Sequence, residues 1–187
     1  MNRAEILKIL AVLQTAYPNF YKSISPEQLN GTINLWQEML SDDTYEEVGV
    51  AVKMLISTKT DAFPPVVGQI KEQLYKSRNA GQLSESEAWS LVYNAVQQGS
   101  YHSKEAFEQL PEVVRQAVGS PEVIRQWAME NTDSLSVHES NFKRAYRMQL
   151  ETKKELDMLP EALKKQINLL AEQKQMKLIE EVHNGVE

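Results

Sequence analysis

The chain has 187 residues, of which 42% are hydrophobic and 25% are charged, a composition typical of a globular protein with one compact domain or two small ones. It contains no cysteine, which excludes a disulfide framework, a thiolate metal site and a cysteine nucleophile. The net charge of -6 argues against duplex DNA as the main partner, because DNA-binding domains usually carry net positive charge.

Apolar residues recur at helical spacing through almost the whole chain, and no strand-type alternation persists anywhere. The sequence therefore predicts an all-α fold. Three helix starts have the spacing of a capping box, in which the N-cap and the third helical residue bond to each other's backbone amides: Asn2 with Glu5, Ser25 with Gln28, and Ser84 with Glu87. We expect a further helix to open at Asp42-Asp43, where carboxylates favour the positive end of the helix dipole.

Three glycines carry specific expectations. Gly68 lies early in a helix predicted from about residue 65 to residue 76, where its small size predicts close approach of a neighbouring helix. Gly99, followed by Ser100, is expected to break the helix that begins after Ser84. Gly119 stands where a helix C-cap glycine is expected.

The segment SRNAGQL, residues 77–83, is polar and is the best candidate for a domain boundary. We therefore predict two small helical parts, an N-terminal bundle over residues 1–78 and a C-terminal helical region over residues 84–187. Residues 81–140 carry a net charge of -6, whereas residues 141–187 carry +1. The locally basic part starts at the stretch NFKRAYR, residues 141–147.

This basic stretch sets three cations (Lys143, Arg144 and Arg147) around two aromatics (Phe142 and Tyr146) on a predicted helix over about residues 137–156. In one interpretation the aromatics belong to the core and the cations form a solvated edge. In a second the helix is part of a protein interface, where aromatics and arginine are enriched. In a third, single-stranded DNA stacks its bases on the aromatics and pairs its phosphates with the cations.

The last predicted helix, over about residues 161–182, places Leu163, Ile167 and Leu170 on one face. Such a helix can lay its apolar face into a groove on another protein, or it can close its own bundle. Taking the interface interpretation for both helices, the candidate partner-binding residues are Phe142, Arg144, Tyr146, Arg147, Leu163, Ile167 and Leu170.

No motif for catalysis or cofactor binding is found in the sequence. The glycines form neither a Walker A loop nor a GxGxxG turn, and no histidine has a second histidine three or four residues later. We therefore expect no catalytic residue, no cofactor and no metal site. No apolar run approaches the ~20 residues that cross a bilayer, so we expect no membrane partner. The absence of cysteine suits a reducing cytoplasm.

The N-terminal part resembles a known family. The stretches AYPNFY (16–21), DDTYEEV (42–48) and FPPVVGQIKEQL (63–74), together with Trp36, are similar in order and spacing to the phage-encoded loaders and inhibitors of replicative helicases. The resemblance covers about residues 1–78. It implies a small N-terminal helical bundle, a C-terminal region that binds the helicase and is flexible when free, and no ATPase of the protein's own. The helix starts of the C-terminal half are clearly marked in the sequence, which does not fit a C-terminal region that is flexible when free.

The resemblance implies that a DnaB-type helicase hexamer is the main partner, in the cytoplasm of the bacterial host, with an origin-binding protein as a second candidate. It also implies that the chain restrains the helicase and delivers it to the origin, and that direct nucleic-acid binding is weak or absent. The rival interpretation is a DNA-binding replication organiser that contacts DNA through the basic helix at residues 141–147.

Overall fold

The computed structural model describes residues 1–130 and 134–184, with side chains described as far as residue 177. Over these residues the chain folds into helices and contains no strand, which confirms the predicted all-α class. The helices in chain order are α1 (Arg3–Ala16), α2 (Pro18–Tyr21), α3 (Pro26–Met39), α4 (Tyr45–Thr58), α5 (Val67–Arg78), α6 (Glu85–Glu108), α7 (Glu112–Val118), α8 (Pro121–Met129), α9 (Leu135–Met158) and α10 (Glu161–Asn184).

The three predicted capping boxes are all present, at the starts of α1, α3 and α6. The expected helix start at Asp42-Asp43 is wrong, because Thr44 is the N-cap of α4 and forms a fourth capping box with Glu47. The hydroxyl of Thr44 satisfies a free amide of the first turn, whereas the two preceding carboxylates are used elsewhere. Gly119 caps α7 with a φ of 97°, as its position predicts.

The described chain divides into two compact units. The first contains Met1–Arg78 together with the chain from Leu156 onward, and the second contains Asn79–Glu155. One boundary follows Arg78, inside the polar segment proposed as a linker. The residues predicted as one C-terminal region are shared between the two units, so the division into 1–78 and 84–187 stays a prediction.

The first unit buries a core formed by α1, α3, α4 and α5. Its most enclosed side chains come from one face of each helix, at three- and four-residue spacing: Ile6, Leu10 and Leu13 of α1, Ile33 and Trp36 of α3, Val48 and Val52 of α4, and Ile70 and Leu74 of α5. Burial of these apolar side chains is the main source of stability for the bundle.

The second unit is built around α6, along which α8 packs. The buried face of α6 contributes Ala88, Trp89, Val92 and Val96, to which α7, α8 and α9 add Val114, Ile124, Phe142 and Tyr146. The helix α6 does not end at Gly99 as expected. It continues to Glu108 through a kink at His102, whose φ and ψ are -124° and 34°.

Close helix approach occurs at Gly99, and not at Gly68 as predicted. A Cβ added at Gly68 would meet no atom within 4 Å. A Cβ at Gly99 would lie 2.8 Å from Cγ2 of Ile124, 3.1 Å from the carbonyl oxygen of Ile124 and 3.3 Å from the Cβ of Ala128. The absence of a side chain at Gly99 therefore allows α8 to pack directly on the backbone of α6.

We predict that Gly99→Ala lowers the free energy of unfolding. Overpacking at a rigid contact costs about 1–3 kcal/mol, and we expect this cost to exceed the gain of about 1 kcal/mol from better helix propensity, because one of the close atoms is a backbone oxygen. Urea unfolding checks the effect, with Gly49→Ala in α4 as the matched control, since a Cβ there meets nothing within 4 Å. The control should be neutral or stabilising, and equal stabilisation by both variants would contradict the packing at Gly99.

Candidate interaction surfaces

The two aromatics of the basic stretch lie in the core of the second unit. Phe142 and Tyr146 are each only 2% exposed. The ring of Phe142 packs against Trp89 of α6 with centroids 5.6 Å apart, and the hydroxyl of Tyr146 donates to the carbonyl oxygen of Leu83 at 3.0 Å. Neither ring is available to a partner while the unit is folded, which favours the core interpretation that the sequence left open.

The cations of the same stretch are largely neutralised within the chain. Arg147 forms a two-point ion pair with Glu85, with nitrogen–oxygen distances of 2.8 and 3.0 Å. Lys143 pairs with Glu139 one turn earlier at 2.6 Å. Arg144 is exposed and makes no ion pair with any residue the structure describes. Of the four candidates on α9, only Arg144 therefore presents an unpaired side chain to solvent.

The acidic residues near the start of α4 form an ion-pair network with α5. Asp43 is buried, and its Oδ2 lies 2.6 Å from the ammonium of Lys71 as an ion pair without regular hydrogen-bond geometry. The other oxygen of Asp43 lies 3.0 Å from Arg78, which also pairs with Glu47 through two hydrogen bonds of 2.8 and 3.1 Å. These contacts join the start of α4 to the end of α5, so they serve the fold.

An open apolar groove of about 820 Å³ lies on the first unit. None of its lining residues is charged, and its walls come from α2, α3 and the segment before α5: Phe20, Tyr21, Trp36, Phe63, Pro64 and Pro65. Phe63 is 66% exposed and Phe20 is 42% exposed, with their rings edge to face at 6.4 Å. Large apolar side chains gathered at a surface indicate an interaction site.

Sequence reasoning did not predict this groove. The stretches AYPNFY and FPPVVGQIKEQL suggested family membership, and both contribute to its walls. One local signal was present: Phe63 precedes two prolines, so it lies in an extended segment where helical periodicity does not assign it to a buried face.

The helix α10 is anchored at its first turn and exposed beyond it. Pro160 is fully buried, and Leu163 and Lys164 are half-buried. From residue 165 to residue 177 every side chain is exposed, including Ile167 at 45% and Leu170 at 65%. We call Leu163, Ile167 and Leu170 the apolar row, since their spacing places them on one face. The predicted site residues of α10 thus lie together, and two of the three face solvent.

Asp42 holds the start of α10 through a contact between residues distant in the sequence. The backbone amide of Glu161 donates to Oδ2 of Asp42 at 2.7 Å, so this side chain accepts from one of the free amides at the helix N-terminus. This hydrogen bond is the main reason that the pKa of Asp42 lies below its ordinary value, with the charges of Lys71 and Lys164 adding to it. Asp42 therefore fixes the base from which α10 extends.

The described residues show no cluster of possible metal ligands. They contain no group of three histidine, aspartate or glutamate side chains that could hold a metal ion. The ring of His138 stacks on Trp127 with centroids 4.8 Å apart, and its Nε2 lies 2.6 Å from a carboxylate oxygen of Glu130. None of the described helices is both long and apolar enough to span a membrane.

Comparison with known proteins finds a family model that matches the N-terminal part of the chain. Residues 1–71 match the family model for the N-terminal domain of the phage gene 39 protein, a helicase loader and inhibitor of DnaB. This match confirms the resemblance to the phage helicase loaders and inhibitors. No curated protein and no solved structure matches the chain at a significant level.

We predict that the pair between Glu47 and Arg78 makes stability depend on acid pH. The hydrogen bonds from Arg78 lower the pKa of Glu47 to about 2, with a smaller contribution from Thr44. Because the folded-state pKa is depressed, the contribution is complete above the ordinary value of 4.5 and is lost as the pH falls from about 5 towards 2.

Glu47→Gln tests this pair, because glutamine at the same position can keep the capping-box bond while losing the charge. We expect a loss of about 1 kcal/mol at neutral pH, a figure discounted for the exposure of the pair, and a flatter stability profile between pH 5 and 2. Urea unfolding across that range measures both. An unchanged profile would contradict the assigned role.

We also predict that Asp42→Ala loosens the first turn of α10. Loss of an N-cap acceptor costs about 1 kcal/mol, which corresponds to roughly fivefold faster exchange of the Glu161 amide. Asp42→Asn is the matched control, since its amide oxygen can accept the same bond. Hydrogen exchange followed by NMR measures the rate, and equal protection in wild type and Asp42→Ala would show that the contact does not hold α10.

Proposed function

We propose that this chain, whose residues 1–71 match the family model of the gene 39 protein N-terminal domain, is a phage replication protein that binds a DnaB-type helicase hexamer and loads it at the origin. The family match is the observation that carries the proposal. The protein restrains the helicase until it is placed on DNA, and it does so without an ATPase or any other catalysis of its own.

The mechanism that we propose is differential binding. A protein that contacts a ring-shaped hexamer can shift the ring between open and closed states only by the difference between its affinities for the two. A loader that binds the open ring more tightly therefore favours DNA entry and must dissociate before the ring closes. No bond is made or broken in this scheme, and several copies can bind one hexamer.

We assign helicase binding to residues 137–180, and within this range the geometry favours α10 over α9. The aromatics of α9 are buried, and two of its three clustered cations are paired within the chain. By contrast, α10 presents Ile167 and Leu170 to solvent over a length where no described side chain is buried. Exposed apolar side chains on a helix are suited to docking into a groove.

The apolar groove of the first unit supports a second contact module in the N-terminal bundle, facing the helicase or an origin-binding protein. Its uncharged lining suits an apolar segment of a partner. We keep this surface separate from α10, because either contact can exist without the other.

The rival function, DNA binding through the basic helix at residues 141–147, gains little from the geometry. Base stacking needs exposed aromatic faces, and the rings of Phe142 and Tyr146 are enclosed. A gel-shift series in rising salt distinguishes the two functions. A loader should show little DNA affinity at any salt concentration, whereas a phosphate binder should show affinity that falls steeply as salt increases.

We predict that deletion of residues 161–187 abolishes the complex with a DnaB-type hexamer, measured by size-exclusion chromatography with light scattering in the presence and absence of ATP. The deletion leaves α9 complete, whereas truncation after residue 136 would remove Phe142 and Tyr146 from the core of the second unit. Tyr101→Ser, at an exposed position of α6, is the control and should bind normally. Full binding by the deleted chain would contradict the role of α10.

A further inference from the structure

The face of α10 that carries the apolar row continues into two lysines. Leu163, Ile167, Leu170, Lys174 and Lys177 follow one another at intervals of four, three, four and three residues, which keeps all five on one side of a helix. At 1.5 Å per residue the strip is about 21 Å long. It is apolar in the half nearest the anchored first turn and cationic in the distal half.

The lysine pair of this strip is not neutralised within the part of the chain whose side chains are described. Neither Lys174 nor Lys177 makes an ion pair there, and both are exposed. Glu172 lies on the opposite side of the helix, half a turn from both Leu170 and Lys174. Between residues 161 and 177 the helix carries four lysines and two glutamates, and over its whole length to residue 184 it carries four of each, on a chain whose net charge is -6.

This order of residues disfavours a second copy of the chain as the occupant of the strip. In a parallel pair of α10 helices the lysines of one copy would face those of the other, and like charges repel. In an antiparallel pair each lysine would lie against the apolar row and bury its ammonium without a counter-charge. The strip instead complements a surface whose apolar and anionic parts follow one another.

We propose that this strip docks on a protein surface with an apolar groove that ends in a cluster of carboxylates. The apolar row fills the groove, and Lys174 and Lys177 pair with the carboxylates. This inference rests on the proposed function, because it takes the helicase as the partner, and it adds the chemistry of the helicase surface and the direction in which α10 lies on it. The anchored first turn lies at the apolar end.

The test measures affinity of the full-length chain for a DnaB-type hexamer between low and high salt. Lys174→Glu with Lys177→Glu should weaken binding about tenfold at low salt and less at high salt, since the pairs lie at the rim of the contact. Ile167→Ser with Leu170→Ser should weaken binding about a hundredfold with little salt dependence, because these side chains occupy the groove.

Two controls match these variants on other faces of the same helix. Lys165→Glu changes one exposed charge off the strip, and Leu169→Ser with Met176→Ser removes two exposed apolar side chains from a different face. Both should bind within about twofold of the wild type. Circular dichroism of every variant separates loss of contact from loss of helix.

The possible failures can be told apart. No binding of the hexamer by the wild-type chain overturns the proposed function and this inference with it. Binding that the double lysine variant weakens no more than Lys165→Glu overturns this inference alone. A dimer of the free chain that Ile167→Ser with Leu170→Ser dissociates would also overturn it. So would binding of a DNA duplex at the strip in place of the hexamer.

Discussion

Helix α10 is held at its first turn, and its proposed role depends on this anchor. Its start is fixed by a buried proline and by a hydrogen bond from the Glu161 amide to Asp42, and its side chains from residue 165 to residue 177 are exposed. A helix that leaves leucine and isoleucine in water forgoes about 1.5–3 kcal/mol for each side chain that could be buried. That free energy is gained when a partner covers the helix. The anchored first turn fixes where the exposed part of the helix begins.

Several charged and aromatic residues outside α10 serve the fold. Asp43 is buried beside Lys71 and Arg78 and joins α4 to α5, while Arg147 reaches Glu85 and joins α9 to the start of α6. The aromatic cluster around Trp89 encloses Phe142. Removal of one partner from the buried pair of Asp43 and Lys71 leaves an uncompensated charge, so this pair explains stability better than recognition.

Local chemistry made much of the fold predictable from the sequence. Capping boxes, helical periodicity and the left-handed glycine at position 119 are set by neighbouring residues, and each was confirmed. The wrong predictions concern residues whose role is set by tertiary contacts. Gly99 allows α8 to approach, which no local pattern reveals, and Asp42 caps a helix that begins 119 residues later.

The candidate surfaces could be predicted from the sequence only in part, for the same reason. Spacing placed Leu163, Ile167 and Leu170 together correctly, but it could not show that Phe142 and Tyr146 face inwards, because a helix stripe looks the same whether it covers a core or a partner. The groove around Phe63 was missed because its walls come from three separate segments.

Hydrogen exchange of the full-length chain with and without a DnaB-type hexamer shows whether α10 forms the contact. We predict that the hexamer slows exchange in α10 between residues 165 and 177, while amides of α9 around Phe142 are unaffected. Protection confined to the second unit, or no protection anywhere at saturating hexamer, would contradict it.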